Sequence, residues 1–584
     1  MCVLHFQSHI LGNMDTLTRR CERDEAISEK GKTMNSIRAR YLLPSLFIIV
    51  VACAVHAQEK PKPTQYVDVP MRDGTALATD VYLPQGEGPW PVILLRSTYS
   101  RNVGNMNDFL REGYAAVVQD VRGMGTSPGE KHVFYADGWR EGLMDGADTT
   151  AWILEQPWCN GRIGTFGGSA LGITQMLLAP VARGVVAQYI DVAPANFYTE
   201  GIYIGGVLSK NLIEGWLTAI GQPHLIALWK EHCYFDDYWK HFDVGAKVAD
   251  IQAPAIFVGG WYDIFQQGTI NAFVAREQHG GDGARGKNML IMKWSPHGPD
   301  VTEDLKLNEN RFDLKVSEVR RAFFEARLKG NEDALKPYAK VHYYVMGADT
   351  EGAPGNEWRT ADAWPPFPTA ETAYYLHADG TMSTTAPDAT AASLGFTFDP
   401  KDPYPTHGGA NLLLPSGPFD QRKHSATRTD LLKFATEPLG APMEITGRVT
   451  VKLYVSSDAP DTDFTAKLLD IYPAGDDREI LMLDSIQRVK LRKSFEQPEP
   501  LLTGPEEIVE LTIDLWSISW IFNTGHRIGL HISSSNFPRF EVNPNTGHDN
   551  PEQAGDAMRP ANNRVHMDAA RPSALLLPVR PAAP

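Results

Sequence analysis

Three polar residues that could act together lie far apart in the sequence, each just after a short apolar run: Ser169, Asp263 and His297. A serine hydroxyl is a poor nucleophile at neutral pH until a base within hydrogen-bond reach accepts its proton. That base in turn needs an acceptor that fixes its tautomer. The three residue types meet these needs, with Ser169 as nucleophile, His297 as base and Asp263 as the acid that orients the base. The chemistry they predict is nucleophilic acyl transfer.

The surroundings of Ser169 are small and glycine-rich, as the stretch GRIGTFGGSALGITQ at 161–175 shows. In α/β-hydrolase sheets the nucleophile lies on a sharp turn between a strand and a helix, where only small neighbours fit. Gly167, Gly168 and Ala170 fit that turn, although the usual G-x-S-x-G pattern is shifted because Gly172 comes three residues after the serine. A glycine-rich bend without chemistry remains the alternative for this window alone.

The order of the partners favours the catalytic interpretation. In the α/β-hydrolase fold the acid and the histidine follow the serine in the chain, each at the carboxyl end of a later strand. Asp263 follows the apolar run in VGGWYDIF, and His297 follows the run in MKWSPHG. Taken singly, Asp263 could be a helix N-cap and His297 a turn histidine. Their joint order and placement favour a catalytic set.

An oxyanion that forms at the substrate carbonyl needs two hydrogen-bond donors. The backbone N–H of Ala170 is predicted to be one of them. The phenol of Tyr99, in LLRSTYSR after an early strand, is predicted to be the other, with a tyrosine packed under a cap as the alternative. The aromatic side chains predicted to line the substrate pocket are Trp261, Tyr262, Phe265 and Trp216.

The elements that must position these residues alternate between short apolar runs and helical stretches from about 64 to 300. Apolar strands with helices between them indicate a mostly parallel sheet with helices on both faces. Segment 193–250 is long, aromatic and helical in period, which predicts a helical cap inserted between two strands. The runs that predict strands are 91–99, 114–123, 162–169, 254–263 and 288–298.

After about 335 short alternating runs are separated by turns rich in Pro, Gly and Asp, which predicts an all-β sandwich of jelly-roll type. The Pro-rich tail from 571 is predicted to be a short extended end. The predicted domains are an N-terminal extension with a signal peptide (1–57), an α/β-hydrolase domain in two parts (58–192 and 251–335), the helical cap (193–250) and the jelly-roll sandwich (336–584).

The stretch that starts at Met34 has the layout of a secretory signal: two arginines, an uncharged run from 41 to 55, and small residues before a cleavage site after Ala57. The run is shorter than the roughly 20 residues of a spanning helix. We therefore expect export to the periplasm or the medium and no integral membrane span in the mature chain. A retained anchor and lipid attachment at Cys53 remain alternatives.

Charge and cysteine content limit the partners. The formal net charge is −16 and the mature part has no Lys/Arg-rich run, which argues against a nucleic-acid partner. Of five cysteines only Cys159 and Cys233 clearly lie beyond the leader. They form neither a disulfide framework nor a metal cluster, and whether they pair is left open. The expected partner is a small-molecule or peptide acyl substrate, and the oligomeric state stays undetermined.

The sequence resembles the family of α/β hydrolases that includes cocaine esterase, α-amino-acid ester hydrolases, cephalosporin acylases and X-Pro dipeptidyl-peptidases. The resemblance spans roughly 64 to 578. It implies a hydrolase sheet, a helical cap, a C-terminal jelly roll and no cofactor or metal, with the five site roles assigned above. The motifs that carry it are RSTYSR, VVQDVRGMGTSPGE, DGADTTAWILEQPWCNGRIGTFGGSALG, GGWYDIF, KWSPHG, GPFDQR, DTDFTAKLLDIYP and GHRIGLHISSSNFPRFEVNPNTG.

Three departures from that family affect the expected substrate, and one of them is a cap that is short for the dipeptidyl-peptidase branch. Ala170 stands where the family usually has Tyr, which keeps the backbone donor but opens the pocket wall. Phe265, Gln266 and Gln267 stand where amino-acid ester hydrolases carry carboxylates for a substrate ammonium. The sequence therefore predicts an exported serine hydrolase that cleaves esters or amides. X-Pro dipeptidyl-peptidase activity, and an inactive hydrolase fold that serves as a binding protein, are the alternatives.

Overall fold

The computed structural model describes residues 60–102, 106–298 and 304–581. The predicted signal peptide and Cys53 lie outside the described residues. The chain forms a largely parallel sheet with helices on both faces, followed by a β-domain, and the two share a strand. Within the described residues, no helix combines the length and the apolar character that a bilayer span requires.

The strands of the first half are β1 Gln65–Pro70, β2 Ala76–Tyr82, β3 Trp90–Ser97, β4 Ala115–Asp120, β5 Cys159–Gly168, β6 Val185–Asp191, β7 Tyr203–Ile204, β8 Val207–Leu208, β9 Ala255–Tyr262, β10 Met289–Pro296, β11 Val341–Gly347 and β12 Glu357–Ala361. Those of the second half are β13 Ala370–Leu376, β14 Met382–Ser383, β15 Ser393–Phe398, β16 Leu432–Ala435, β17 Met443–Ser457, β18 Asp463–Ile471, β19 Glu479–Arg488, β20 Val509–Phe522, β21 Arg527–Ser533, β22 Ala561–Asp568, β23 Arg571–Pro572 and β24 Ala574–Val579.

The α-helices are α1 Asn107–Arg111, α2 Asp145–Leu154, α3 Ala170–Leu178, α4 Lys210–Ala219, α5 His224–Glu231, α6 Asp237–Lys240, α7 Gln266–His279, α8 Val316–Lys329 and α9 Arg422–Ser425. A π-helical turn spans Tyr198–Ile202. Short 3₁₀ turns lie at Ala179–Val181, Gly245–Asp250, Glu309–Phe312, Glu332–Leu335, Val489–Leu491 and Pro551–Ala557.

The first sheet has the strand order β1–β2–β4–β3–β5–β6–β9–β10–β11–β12. Neighbours from β4 to β11 run parallel, whereas β1, β2 and β12 pair antiparallel. All five predicted strand runs form strands of this sheet. β6, at the centre of the sheet, was not among them. Because the parallel strands end at the same edge, the residues that follow β5, β9 and β10 lie along that edge.

Helices cover both faces of this sheet, because side chains that alternate along β3 are apolar on both faces. Ile93 and Leu95 are buried in a cluster with Phe109 of α1 and Phe323 of α8. Val92 and Leu94 point the other way, into a cluster that also holds residues of α2 and α3. A strand buried on both sides reads as a continuous apolar run, which is how the sequence identified it.

Between β6 and β9 the chain forms a cap of three α-helices, α4 to α6, with the hairpin of β7 and β8 before them. The cap rests on the β-domain as well as on the sheet. Ile204 and Val207 pack with Ile486 and Trp516 in a separate apolar cluster. At the tip of the hairpin, the N–H of Arg488 donates to the carbonyl of Gly205 at 2.9 Å.

The β-domain contains a four-stranded sheet, β16–β21–β18–β19, and a larger antiparallel sheet around the long strands β17 and β20. Strand β11 joins it to the first sheet: Val341–Tyr343 pair with β10, and Met346 and Gly347 pair with β20. The tail from 571, predicted to be a short extended end, forms the strands β23 and β24. β24 pairs with both β13 and β17, because its apolar run buries Leu575 and Leu577 completely.

The contact between the cap and the β-domain can be tested at Gly205. Its φ is +55°, and a Cβ there would lie 1.8 Å from the carbonyl oxygen of Ile486. Gly221, also in the cap, has φ +74° and nothing within 4 Å of such a Cβ. Gly221→Ala should therefore cost only the left-handed backbone strain, about 1 kcal/mol. We expect Gly205→Ala to lower the thermal unfolding midpoint much further, and equal shifts would contradict this docking.

Candidate active site

Ser169 lies on a sharp turn between β5 and α3. Its backbone has φ 56° and ψ −124°, a conformation that residues other than glycine rarely adopt. Its N–H donates to the carbonyl of Asp191 at the end of β6, at 2.9 Å. The turn needs small neighbours: a Cβ on Gly172 would lie 2.9 Å from the Ala193 Cβ. The glycines in the sequence thus serve a strained turn that presents the hydroxyl.

Ser169, His297 and Asp263 form one chain of hydrogen bonds. With its proton on Nδ1, His297 donates to Asp263 Oδ2 at 2.7 Å, and its Nε2 accepts from the Ser169 hydroxyl at 2.8 Å. The side chains of Asp263 and His297 have no exposed surface. The second carboxylate oxygen, Oδ1, accepts from the backbone N–H of Phe265 at 2.7 Å. Both oxygens of Asp263 therefore have donors, which fixes the carboxylate and through it the imidazole.

Of the two predicted oxyanion donors, one directly follows Ser169 and the other contacts Trp216. Ala170 is the first residue of α3, so its N–H has no acceptor within the helix. The Trp216 indole N–H donates to the Tyr99 hydroxyl oxygen at 3.3 Å, and both Trp216 and Ala170 line the cavity at Ser169. In that bond the Tyr99 oxygen is the acceptor, so the bond does not use the phenol hydrogen.

The turn that carries Tyr99 is anchored from behind. The Ser97 hydroxyl oxygen accepts from the backbone N–H groups of Tyr99 and Ser100, each at 3.2 Å. Two residues after Tyr99, the Arg101 guanidinium donates to Asp80 at 2.8 Å and to Asp120 at 2.7 Å. These bonds fix the loop after β3, and the position of the phenol with it.

A narrow apolar cavity, here called the active-site cavity, opens at Ser169 and Ala170. Of the four predicted pocket side chains, Trp216 and Phe265 line it. The Phe265 ring also lies edge-on to the His297 imidazole, with 5.5 Å between the centroids. Sequence reasoning missed the other lining residues, all aliphatic or aromatic: Ile173, Phe197, Ile202, Leu212, Ile213, Ile264 and Leu412.

Some of these residues could have been found from the sequence. Leu212, Ile213 and Trp216 lie on the apolar face of α4, at a spacing that a helical period makes visible. Leu412 carries no such signal, because it lies in a loop of the β-domain far along the chain from the other lining residues. Its place at the cavity follows only from how the β-domain packs on the cap.

The prediction that Trp261 and Tyr262 line the pocket is wrong. Their side chains point into the interface with later strands, where the Trp261 indole donates to the Tyr344 carbonyl at 2.7 Å and the Tyr262 hydroxyl to the Leu481 carbonyl at 2.8 Å. Burial raises the pKa of Tyr262 well above its usual value. Proximity to Asp263 in sequence did not indicate where these two side chains point, because the β-domain covers β9 at this end.

The two described cysteines are free thiols, so the structure contains no Cys159–Cys233 disulfide. Burial raises the pKa of Cys233 to about 11 and also raises the pKa of Cys159. Both sulfurs are thus protonated at neutral pH and are poor nucleophiles. Neither of them lines the active-site cavity.

Two family models match the chain. Residues 73–224 and 219–299 match the X-Pro dipeptidyl-peptidase (S15 family) model, and residues 333–576 match the X-Pro dipeptidyl-peptidase C-terminal non-catalytic domain. Cocaine esterase of Rhodococcus sp. (strain MB1 Bresler) is 34% identical over 88% of this chain and 98% of the esterase.

Two solved structures share the fold. An aminopeptidase from the marine sediment archaeon Thaumarchaeota archaeon superposes with a TM-score of 0.76 at 22% identity, over 90% of this chain and 98% of its own. An α-amino acid ester hydrolase gives a TM-score of 0.76 at 24% identity, over 88% and 96% of the two chains. The likeness therefore includes the β-domain as well as the α/β sheet.

The strain at Ser169 can be measured by comparing two substitutions that both remove the hydroxyl. An unfavourable backbone conformation of this kind costs on the order of 1–3 kcal/mol in residues with a Cβ. Glycine relieves that strain, whereas alanine keeps it. We expect Ser169→Gly to unfold at a higher temperature than Ser169→Ala, although glycine loses more entropy on folding. A less stable glycine variant would show that the turn is not strained.

Proposed function

We propose that this chain, which belongs to the CocE/NonD family of serine hydrolases that includes cocaine esterase, cleaves carboxylic esters through an acyl-enzyme intermediate. The observation that carries the proposal is the hydrogen-bonded chain from the Ser169 hydroxyl through His297 to Asp263, at 2.8 and 2.7 Å. This arrangement can activate a hydroxyl in its ground state without any rearrangement of the three side chains.

In the first half of the reaction, Ser169 Oγ attacks the ester carbonyl carbon while His297 Nε2 takes its proton. The carbonyl oxygen becomes an oxyanion that accepts hydrogen bonds from the Ala170 N–H and the Tyr99 hydroxyl. Collapse of this intermediate expels the alcohol, which receives the proton from His297. Asp263 stabilises the transient imidazolium and keeps the ring oriented.

In the second half, water attacks the acyl-enzyme carbonyl and His297 again acts as the base. The same two donors stabilise the second oxyanion, and its collapse releases the acid and returns the proton to Ser169. Donors fixed before the reaction are effective because they need no reorganisation when charge develops. The anchored turn at Tyr99 and the helix start at Ala170 supply such donors.

The lining of the active-site cavity supports a substrate whose acyl group is apolar next to the carbonyl. Its side chains beyond Ser169 are hydrocarbon or aromatic, apart from the single indole N–H of Trp216, which donates to Tyr99. Ester cleavage is favoured over removal of X-Pro dipeptides, because a free amino terminus needs an anionic partner. Among the described residues that line the cavity there is no Asp or Glu.

We further propose that the mature enzyme is exported and begins after Ala57, supported by the leader pattern at 34–57. The intact mass of the protein from the extracytoplasmic fraction tests this proposal, because a chain that retains residue 34 would contradict export by cleavage.

For the β-domain we propose jelly-roll connections, supported by its two antiparallel sheets. An experimental structure with another strand order would contradict this proposal.

The proposed function is tested by labelling with a fluorophosphonate, which reacts with an activated serine. We expect one adduct per chain, mapped by mass spectrometry to the peptide that holds Ser169. The adduct should be absent from Ser169→Ala and strongly reduced in His297→Ala. Hydrolysis of 4-nitrophenyl butyrate should be lost in parallel. A folded wild-type protein that neither labels nor hydrolyses simple esters would instead support the binding-protein alternative.

The Tyr99 hydroxyl is tested by Tyr99→Phe. Loss of one oxyanion donor lowers turnover on the order of a hundredfold or more, so kcat should fall by that factor while the protein stays folded. Tyr203→Phe is the matched control, since this phenol lies in the cap and donates to the Trp229 carbonyl at 2.9 Å. Equal kcat values for the two variants would exclude Tyr99 from the oxyanion site.

A further inference from the structure

A second cavity, here called the distal chamber, adjoins the active-site cavity. Leu212 from the cap, Ile264 from the turn after β9 and Leu412 from the β-domain line both of them. The two cavities thus share three aliphatic side chains, each from a different part of the chain. An acyl chain that extends from Ser169 into the second cavity must displace these side chains.

The distal chamber differs from the active-site cavity in its polar lining. Arg539 and Trp516 face it, together with Ser209 and Asn411, and each of these residues is at least nine-tenths buried. The polar atoms of these side chains that lack a protein partner are not completely covered, so a ligand or water can reach them. Each of the four carries a polar atom with no hydrogen-bond partner in the described part of the chain.

Arg539 is the strongest of these groups. Its Nη1 donates to Asp484 Oδ1 at 2.5 Å, and within the described ranges that is the one hydrogen bond of its guanidinium. The donors on Nε and Nη2 are therefore left for a ligand. A guanidinium edge with two N–H groups matches a carboxylate, which accepts two parallel hydrogen bonds.

Trp516 is held towards the chamber by an unusual backbone. It follows a bulge in β20, where the pairing with β17 shifts between Val449 and Thr450, and its φ is +72°. The Asp514 side chain accepts from the Trp516 N–H at 3.0 Å and stabilises the bulge. Bulges and left-handed residues that are not glycine are concentrated at functional sites, where they redirect a side chain.

The charge of the chamber also indicates the ligand. Arg539 is the one charged residue among the described residues that line it. Helix α4 begins beside it, and its N-cap residue Ser209 makes no side-chain capping bond. The N-terminus of a helix carries a partial positive charge that favours an anion. Asp484 balances part of the Arg539 charge, but it does not line the chamber.

We propose that the distal chamber binds a carboxylate at the far end of the substrate acyl group, so that the enzyme prefers half-esters of terminal dicarboxylic acids. This proposal rests on the ester hydrolysis proposed above. The acyl side is assigned because the alcohol must leave next to His297, which takes no part in lining either cavity. The part of the substrate that enters these cavities is then the acyl chain.

The first test compares matched esters on the wild-type enzyme. The 4-nitrophenyl half-esters of succinate, glutarate, adipate and suberate are set against 4-nitrophenyl butyrate, pentanoate, hexanoate and octanoate. An apolar pocket alone rejects a terminal carboxylate, since its desolvation is costly. We expect kcat/KM for at least one half-ester to exceed that of its neutral partner about tenfold, as a charged hydrogen bond allows. If every half-ester is slower than its partner, the proposal is overturned.

The second test assigns the preference to Arg539. Arg539→Lys keeps a cation beside Asp484 but removes the planar pair of donors. We expect the ratio of kcat/KM for the preferred half-ester over its neutral partner to fall about tenfold. Arg428→Lys, which alters an ion pair with Asp430 in the β-domain and away from the chamber lining, should leave the ratio unchanged. If Arg539→Lys lowers both substrates equally, its role is structural and the proposal fails.

Three further outcomes are decisive. A preference for a carboxylate on the alcohol, measured with acyl esters of 4-hydroxybenzoate and lost in Arg539→Lys, would overturn the assignment to the acyl side. A folded wild-type enzyme that hydrolyses no neutral ester and is not labelled by the fluorophosphonate would contradict the proposed function itself. Neutral ester hydrolysis with no preference for half-esters would contradict only the carboxylate site.

Discussion

The activity proposed for this chain depends on one constraint: β5, β9 and β10 run parallel and end at the same edge of the sheet. Ser169, Asp263 and His297 follow these three strands and meet there within hydrogen-bond distance, although they are separated in sequence. Complete burial of the acid–imidazole pair strengthens its hydrogen bond, because water does not compete for either group. The sheet therefore supplies both the position and the environment that the hydroxyl needs.

The β-domain takes part in building the site as well as in covering it. Leu412 closes one side of the active-site cavity, and Arg539 and Trp516 face the chamber behind it. The Tyr262 hydroxyl, one residue before Asp263, is bound to a carbonyl of β19. Close packing of this kind ties the position of the acid to the β-domain, and the cap is tied to the same domain at Gly205. Residues of all three parts therefore line the cavities to which we assign substrate binding.

Local patterns in the sequence predicted the parts of the fold that local physics determines. The buried strands, the glycine-rich turn at Ser169 and the order of its partners follow from periodicity and from the needs of a serine nucleophile. The same reasoning failed for side chains whose direction or contacts depend on segments far away in the sequence. Trp261 was wrongly placed because strand neighbours of Asp263 face a covering domain, and Leu412 has no local signal at all. Arg539 likewise becomes notable only when its unpaired donors are seen beside a cavity.

The account is tested most directly by a double-mutant cycle on Ser169 and His297, with kcat for 4-nitrophenyl butyrate as the readout. Residues that act as one unit are strongly non-additive, because removal of either one already abolishes the shared step. We predict that Ser169→Ala combined with His297→Ala is no slower than either single variant. If instead the two losses multiply, the hydroxyl and the imidazole act independently, and the hydrogen-bonded chain at this edge of the sheet is not the catalytic unit.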